Sequence, residues 1–266
     1  MMKNIIKSVC YFVVIAIFAY AISIPYIMAV SEQTIDQLNE IGNTDITMAQ
    51  FILGQGFNLV FMVFIFSFIG VSLATKVGLK WDWIRAVFEK TVRPGWDRKY
   101  LWIALLWGII SSILIFVLTS FVFAPQIPQL AETNQNTPIP WWAGITTIFQ
   151  GGISEELMMR FGLMTLLVWL LSKLFMSKRD VISPWIYWAA IVGATVMFGA
   201  GHLPVAQSVY GGLTPSLTLF ILLGNGIAGI GFGFLYWKKG LEYAIVSHMV
   251  ADFMHHFVIQ NITNFF

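Results

Sequence analysis

The sequence has few charged residues and one cysteine, and these shortages narrow the class of protein. Charged residues make up 11% of the 266 residues, whereas hydrophobic residues make up 58%. Soluble domains contain about 25% charged residues, so the composition indicates a membrane protein. The single cysteine, Cys10, excludes an internal disulfide framework and any cysteine-based metal site. The sequence contains no basic patch with interleaved aromatic residues that would indicate a nucleic-acid partner.

Long apolar runs separated by short polar segments fill the rest of the chain. A helix that crosses the bilayer needs roughly 20 apolar residues. We therefore predict an all-α fold, a polytopic membrane helical bundle of about seven transmembrane helices with a polar active site within the membrane. The predicted spans are 11–30, 51–75, 101–123, 141–171, 185–201, 216–237 and 241 to the C-terminus.

We expect a single membrane domain over residues 1–266. Its N-terminal spans lie within 1–125 and its motif-bearing core within 141–262. Ala19-Tyr20-Ala21 is similar to a signal-peptide cleavage site, but the apolar run continues past it, which favours an uncleaved first span.

The segment 76–100 is the most basic part of the chain. Its Trp81, Trp83, Ile84 and Val87 alternate with charges at helical spacing. This pattern fits an amphipathic helix on the membrane surface, and a solvated loop is the alternative.

The distribution of Lys and Arg predicts the orientation in the bilayer. By the positive-inside rule, basic loops are cytoplasmic. The N-terminus is then cytoplasmic and the C-terminus outside, as in a multi-pass protein of a bacterial plasma membrane. The basic loops are the N-terminus, 76–100, 173–179 and 238–239, whereas 31–50, 124–140 and 203–215 contain no Lys or Arg.

The fourth predicted span contains Gly151-Gly152-Ile153-Ser154-Glu155-Glu156-Leu157-Met158-Met159-Arg160. A charged side chain at the bilayer centre costs about 2.5–3.5 kcal/mol on the lowest scale, so a functional site is the first hypothesis. Residues four apart share a helix face, which predicts a Glu156–Arg160 pair. Glu155 lies about 100° further round and needs a partner on another helix. The alternative is an ion-paired helix kink at the two glycines.

Two further polar clusters lie at membrane depth. His202 follows Phe198 near the end of the fifth predicted span, and His248 and Asp252 share one face of the seventh. His255 roughly continues that face, with His256 beside it. All four histidines of the protein therefore lie in spans or at their ends.

These groups suit the activation of water against a carbonyl. A carboxylate in a low-dielectric cavity can act as a general base near neutral pH. Histidines opposite it could bind a metal, orient a water molecule or donate to an oxyanion. Amide hydrolysis is the reaction these groups favour, and a proton-coupled transporter is the alternative. The sequence contains no Gly-x-Ser-x-Gly, His-Glu-x-x-His or Gly-x-Gly-Asp, which argues against three other protease classes.

The three clusters together resemble the CPBP or Abi family, which includes the type II CAAX prenyl proteases. The family pattern is Glu-Glu-x-x-x-Arg, then Phe-x-x-x-His, then His-x-x-x-Asn/Asp. Here it corresponds to Glu155-Glu156-x-x-x-Arg160, Phe198-x-x-x-His202 and His248-x-x-x-Asp252. The resemblance covers about 141–259, and the first three spans match only in being hydrophobic.

The resemblance implies an intramembrane endopeptidase that acts on a membrane-associated protein or peptide. By that analogy Glu155 activates water, His202 helps to hold it, and His248 and Asp252 stabilise the oxyanion. Glu156 and Arg160 form a supporting pair, and Phe198 packs beside the site. Asp252 stands where the prenyl proteases have Asn, so it must be protonated to donate, or else orient His248.

The resemblance leaves the cofactor and the activity open. Glu155, His202 and His248 would supply three ligands and an open position for a catalytic zinc ion. We expect no obligatory cofactor, with a divalent metal as the alternative. Some family members act as bacteriocin self-immunity or scaffold proteins without catalysis, which is the second functional hypothesis.

Overall fold

We describe the structure from a computed structural model of the chain, which covers residues 2–90, 92–127, 130, 139–176 and 181–263. The described part is a bundle of helices, as expected, and no strand occurs in it. The main helices of the described residues follow one another in chain order. They are α1 Met2–Gly42, α2 Met48–Leu73, α3 Asp82–Phe88, α4 Arg98–Phe123, α5 Ala143–Phe175, α6 Pro184–Gly201, α7 Leu203–Val209, α8 Pro215–Lys238 and α9 241–263.

Six of these helical segments are long and apolar enough to cross a membrane. The predicted seventh span corresponds to α9, which is helical throughout but is not one of these six segments. Its Glu242, His248, Asp252, His255 and His256 lower its hydropathy. These polar side chains are tolerated because α9 packs against α4, α5 and α8 rather than standing alone in lipid.

The first helix is longer than the predicted span. It continues past Val30 to Gly42, because Ser31 and Ile35 lie one turn apart and are both buried. Pro25 lies inside it. The helix packs along α2 and along the N-terminal half of α5.

The basic segment forms only a short surface helix, α3, rather than one helix over 76–100. Trp81 is buried and packs near Phe161, whereas Trp83 and Val87 are exposed. The segment is tied to α9, since the backbone N–H of Trp83 donates to Oε1 of Glu242, at 2.8 Å. The prediction of a surface helix therefore holds only for Asp82–Phe88.

The expected outer connection 203–215 also contains a helix, α7, with Pro204 in its first turn, where proline is tolerated. The polar segment 124–140 lies largely outside the described residues, as do Lys178 and Arg179 of the basic loop 173–179.

The main core lies between α1, α2, α5, α6 and α8. Phe161 of α5 is at its centre and contacts Phe12 and Trp81 at ring-centroid distances of 5.0 and 5.3 Å. This aromatic cluster is continuous with the buried part of α5 that carries the Glu-Glu motif.

Candidate active site

The Glu-Glu motif lies on a widened part of α5. Gln150–Glu155 and Leu157–Met164 form π-helical turns, which occur frequently at functional sites. Gly151 and Gly152 allow α9 to approach closely. A Cβ atom at Gly151 would overlap Asp252, and one at Gly152 would overlap Met249. The glycines therefore mark a close helix contact.

The pairing of Glu156 with Arg160 is confirmed. Nη1 of Arg160 donates to Oε1 of Glu156 at 2.9 Å, and both side chains are buried. Nη2 of Arg160 donates to the carbonyl oxygen of Gly229 on α8 at 3.0 Å. The guanidinium also lies over the rings of Phe198 and Phe232, with Cζ 5.2 and 5.3 Å from their centroids. These contacts compensate a charge that would otherwise be costly to bury.

Glu156 also holds His248, a contact that the sequence did not predict. Nδ1 of His248 lies 2.8 Å from Oε1 of Glu156. A carboxylate can only accept, so Nδ1 carries a hydrogen and the ring orientation is fixed. The ring also stacks on Phe232, with centroids 4.6 Å apart and an interplanar angle of 19°.

The other ring nitrogen of His248 faces two carboxylates. Nε2 lies 3.7 Å from Oε2 of Glu155 and 3.5 Å from Oδ1 of Asp252. Glu155 therefore has a partner on another helix, as its position on the helix predicted. The side chain of Glu155 remains 27% exposed, whereas that of Glu156 is fully buried. Adjacent carboxylates thus differ, one facing the cavity and one supporting it.

His202 lies at the junction of α6 and α7. Its Nδ1 is 2.9 Å from the carbonyl oxygen of Phe198, one turn earlier, and its ring contacts Phe198 edge-on with centroids 4.8 Å apart. The Phe-x-x-x-His spacing therefore produces a local contact that orients the imidazole. Phe198 also lies edge-on to His248, with ring centroids 6.3 Å apart, so its ring is near both histidines.

Glu155, His202, His248, Asp252 and Phe198 all line one cavity of about 330 Å³. Glu156 and Arg160 lie behind its wall and act on it through His248. The cavity is bounded by α4, α5, α6, α8 and α9. All of these helices except α4 belong to the motif-bearing core predicted from the sequence. The remaining lining residues were not predicted as site residues; the polar ones among them are Ser112, Thr147, Gln150, Asn225, His255 and His256.

These additional polar residues carried weak signals in the sequence. Asn225 lies between Gly224 and Gly226 in a run without other polar groups, and a polar residue in such a run is a reasonable candidate. Gln150 directly precedes the two glycines. Neither belongs to one of the three motifs, so spacing alone could not assign them to the cavity.

Within the described ranges, no three His, Cys, Asp or Glu side chains are grouped so that they could hold one metal ion. A reaction without an obligatory metal stays our proposal, with a divalent metal held by Glu155, His202 and His248 as the alternative.

Comparison with known proteins supports the motif assignment. Residues 137–254 match the protein family described as type II CAAX prenyl endopeptidase Rce1-like. The resemblance to the CPBP and CAAX protease group, inferred from three short motifs, is thereby confirmed for this part of the chain, the Rce1-like segment. No curated protein and no solved structure matches the chain.

Proposed function

We propose that the protein is an intramembrane endopeptidase that hydrolyses a peptide bond of a membrane-associated protein or peptide. This proposal is supported by one observation: four residues of the Rce1-like segment line the same cavity. They are Glu155, His202, His248 and Asp252. The family is one of proteases, and its name describes prenylated CAAX substrates.

In the proposed reaction, Glu155 removes a proton from a water molecule that His202 helps to hold. The water oxygen bonds to the carbonyl carbon and generates an oxyanion. In this scheme His248 carries a hydrogen on both ring nitrogens, and its Nε2–H and a protonated Asp252 stabilise the oxyanion by donating hydrogen bonds to it. The C–N bond then breaks, and the proton taken by Glu155 passes directly to the leaving amine.

Glu156 has a positioning role in this scheme. It fixes His248 with its Nδ1–H directed away from the cavity, so that Nε2 faces the reacting groups. The arrangement is similar in logic to the acid that orients the histidine of a hydrolytic triad. Arg160 offsets the charge of the buried Glu156, whose Oε1 accepts from both Arg160 and His248.

The proposal is tested by peptide cleavage in proteoliposomes. Two quenched fluorescent peptides of one sequence are compared: one is farnesylated on the cysteine of a C-terminal Cys-aliphatic-aliphatic-Ser, and the other has serine in place of that cysteine and no lipid. We expect wild type to cleave at least the lipidated peptide and Glu155→Gln to lose about 10²–10⁴-fold in rate, the usual effect of removing a general base. Glu32→Gln, the same change at an exposed position, is the control.

Each outcome separates the alternatives. Cleavage by wild type and Glu32→Gln but not by Glu155→Gln supports the endopeptidase. Equal cleavage by all three contradicts a role for Glu155 in catalysis. Protection of cells from a bacteriocin that survives Glu155→Gln would favour the immunity function. A chelator added to the wild-type sample reports separately on a divalent metal.

A further inference from the structure

The first helix contributes a polar contact to the cavity from outside the Rce1-like segment. The hydroxyl oxygen of Tyr26 on α1 lies 3.1 Å from Nδ1 of His256 on α9. The two rings meet edge to face with centroids 5.4 Å apart. His256 lines the cavity, whereas Tyr26 stands behind it. Both residues fall outside the matched residues 137–254, so the contact belongs to the parts of this chain that the family does not cover.

The position of His256 is tightly defined. A Cβ atom at Gly144 of α5 would overlap the carbonyl oxygen of His256, so the two helices touch at this level. The side chain is then held from the other side by Tyr26. Its neighbour His255 also lines the cavity, and Nδ1 of His255 has no hydrogen-bond partner among the described residues. Buried polar atoms without partners call for an explanation, and a ligand in the cavity is one.

The hydrogen bond with Tyr26 selects the tautomer of His256. A phenol is a better donor than a neutral imidazole, and an imidazole nitrogen is the better acceptor. Tyr26 therefore donates to Nδ1, and the neutral ring carries its hydrogen on Nε2. His256 is thereby fixed as a hydrogen-bond donor at its second nitrogen.

The cavity offers both polar and apolar lining. Thr147, Gln150, His255 and His256 add polar groups from α5 and α9 beyond the catalytic residues. Helices α4 and α8 add the apolar Ile115, Phe220 and Ile221 beside the polar Ser112 and Asn225. Such a cavity suits an amphiphilic chain, which presents both apolar side chains and main-chain amides. The acceptor that an extended peptide offers to an N–H donor is its carbonyl oxygen.

We propose that Tyr26 and His256 form a substrate-positioning pair, in which Tyr26 fixes the tautomer of His256 so that Nε2–H donates to a main-chain carbonyl oxygen of the peptide substrate, away from the scissile bond. The peptide ligand rests on the proposed endopeptidase function, whereas the tautomer does not. Tyr26 is a positioning residue, since it acts only through His256.

The first test addresses the tautomer without any substrate. The protein has four histidines, so ¹⁵N-histidine NMR of the full chain in detergent gives few signals, and His256→Gln identifies the one from His256. We expect His256 to carry its hydrogen on Nε2 in wild type and to exchange between tautomers in Tyr26→Phe. Tyr20→Phe is the matched control, because Tyr20 lies on the same helix and its hydroxyl donates to the carbonyl oxygen of Ile52. A hydrogen on Nδ1 of His256 in wild type overturns the proposal.

The second test addresses the peptide in a background that cannot cleave it. The farnesylated peptide is titrated into Glu155→Gln alone and combined with Tyr26→Phe, Tyr20→Phe, His256→Gln or His256→Ala. The loss of one hydrogen bond predicts a Kd about three- to tenfold higher for His256→Ala. The increase should be smaller for Tyr26→Phe, in which His256 still populates the Nε2–H tautomer part of the time. His256→Gln, whose amide can still donate, should remain closer to the parent, and Tyr20→Phe should equal it.

The other possible outcomes of these experiments also support or contradict the pair. Equal Kd values for Tyr26→Phe and Tyr20→Phe contradict the pair, as does a parent variant that binds no peptide. If Glu155→Gln still cleaves, the proposed catalytic role of Glu155 fails. The NMR result and the order of the Kd values would still test the Tyr26–His256 pair independently of that role. In wild type, the pair should affect KM and leave kcat unchanged, which a general loss of stability would not do.

Discussion

The most connected side chain of the site is one that never faces the cavity. Oε1 of Glu156 accepts hydrogen bonds from both Arg160 and His248. Burying these charged groups is costly, and the cost is offset only while every partner is present. Removing one partner leaves an uncompensated charge in a dry environment. The geometry of His248 and the stability of the bundle therefore depend on the same oxygen atom.

We expect Glu156→Gln to lower the free energy of unfolding by about 3–5 kcal/mol, because Arg160 loses its counter-charge. Unfolding in a denaturing detergent, followed by tryptophan fluorescence, measures this change. The double variant Glu156→Gln with Arg160→Met should recover part of the loss, since it buries no unpaired charge. A single variant as stable as wild type would show that the pair contributes little.

Some of these contacts follow from the sequence and others cannot. Spacing along one helix predicts the pairing of Glu156 with Arg160, because a turn of helix fixes the geometry. The contact between Glu156 and His248 requires the relative rotation of α5 and α9, which no local pattern encodes. Glu242 shows that a polar residue within a predicted span need not belong to the site. It is a buried acid on the same helix as His248, but it accepts the backbone N–H of Trp83 and lies outside the cavity.

Helices α5 and α9 approach each other along glycines. Gly144, Gly151 and Gly152 all lie where a Cβ atom would overlap α9. Small residues at such positions let membrane helices pack backbone against backbone. The close approach brings Asp252 and His248 to Glu155. The hydrophobic pattern predicted the spans α2, α4 and α8 well, but it missed the extension of α1 and the helix α7, because burial there depends on neighbours far along the chain.

Gly144→Ala should disrupt the site, because its new methyl group would meet the backbone of His256, which cannot rotate away. We expect lower thermal stability and lower peptide cleavage. Gly54→Ala on α2 is the control, since no described atom lies within 4 Å of a Cβ built there. Alanine is favoured over glycine in a helix by roughly 0.5–1 kcal/mol, so the control should be neutral or slightly stabilised. Equal behaviour of the two variants would contradict the close packing.

The orientation of the whole chain is predicted by its loop charges and can be mapped with cysteines. Cys10→Ser gives a background without cysteine. Single cysteines are then introduced at exposed positions as Glu40→Cys, Lys90→Cys, Leu213→Cys and Ile262→Cys. A membrane-impermeant maleimide should label those at 40, 213 and 262 in intact cells, and the one at 90 only after permeabilisation. Labelling at 262 from the cytoplasmic side would mean that α9 does not cross the membrane.

The π-helical turns of α5 have a consequence for how such a site can be lost. A π-helical turn accommodates extra residues relative to the α-helical ladder. Deleting one residue between 157 and 164 would let α-helical pairing resume there, and the residues within that stretch would turn by up to about 100° relative to Glu155, while the helix beyond it keeps its direction. The helix would remain apolar and would still cross the bilayer, while Arg160 or the core around Phe161 would point elsewhere. If proteins of similar sequence are aligned with this chain, a one-residue gap at this place would therefore indicate a protein that has lost the catalytic arrangement, even where both glutamates remain.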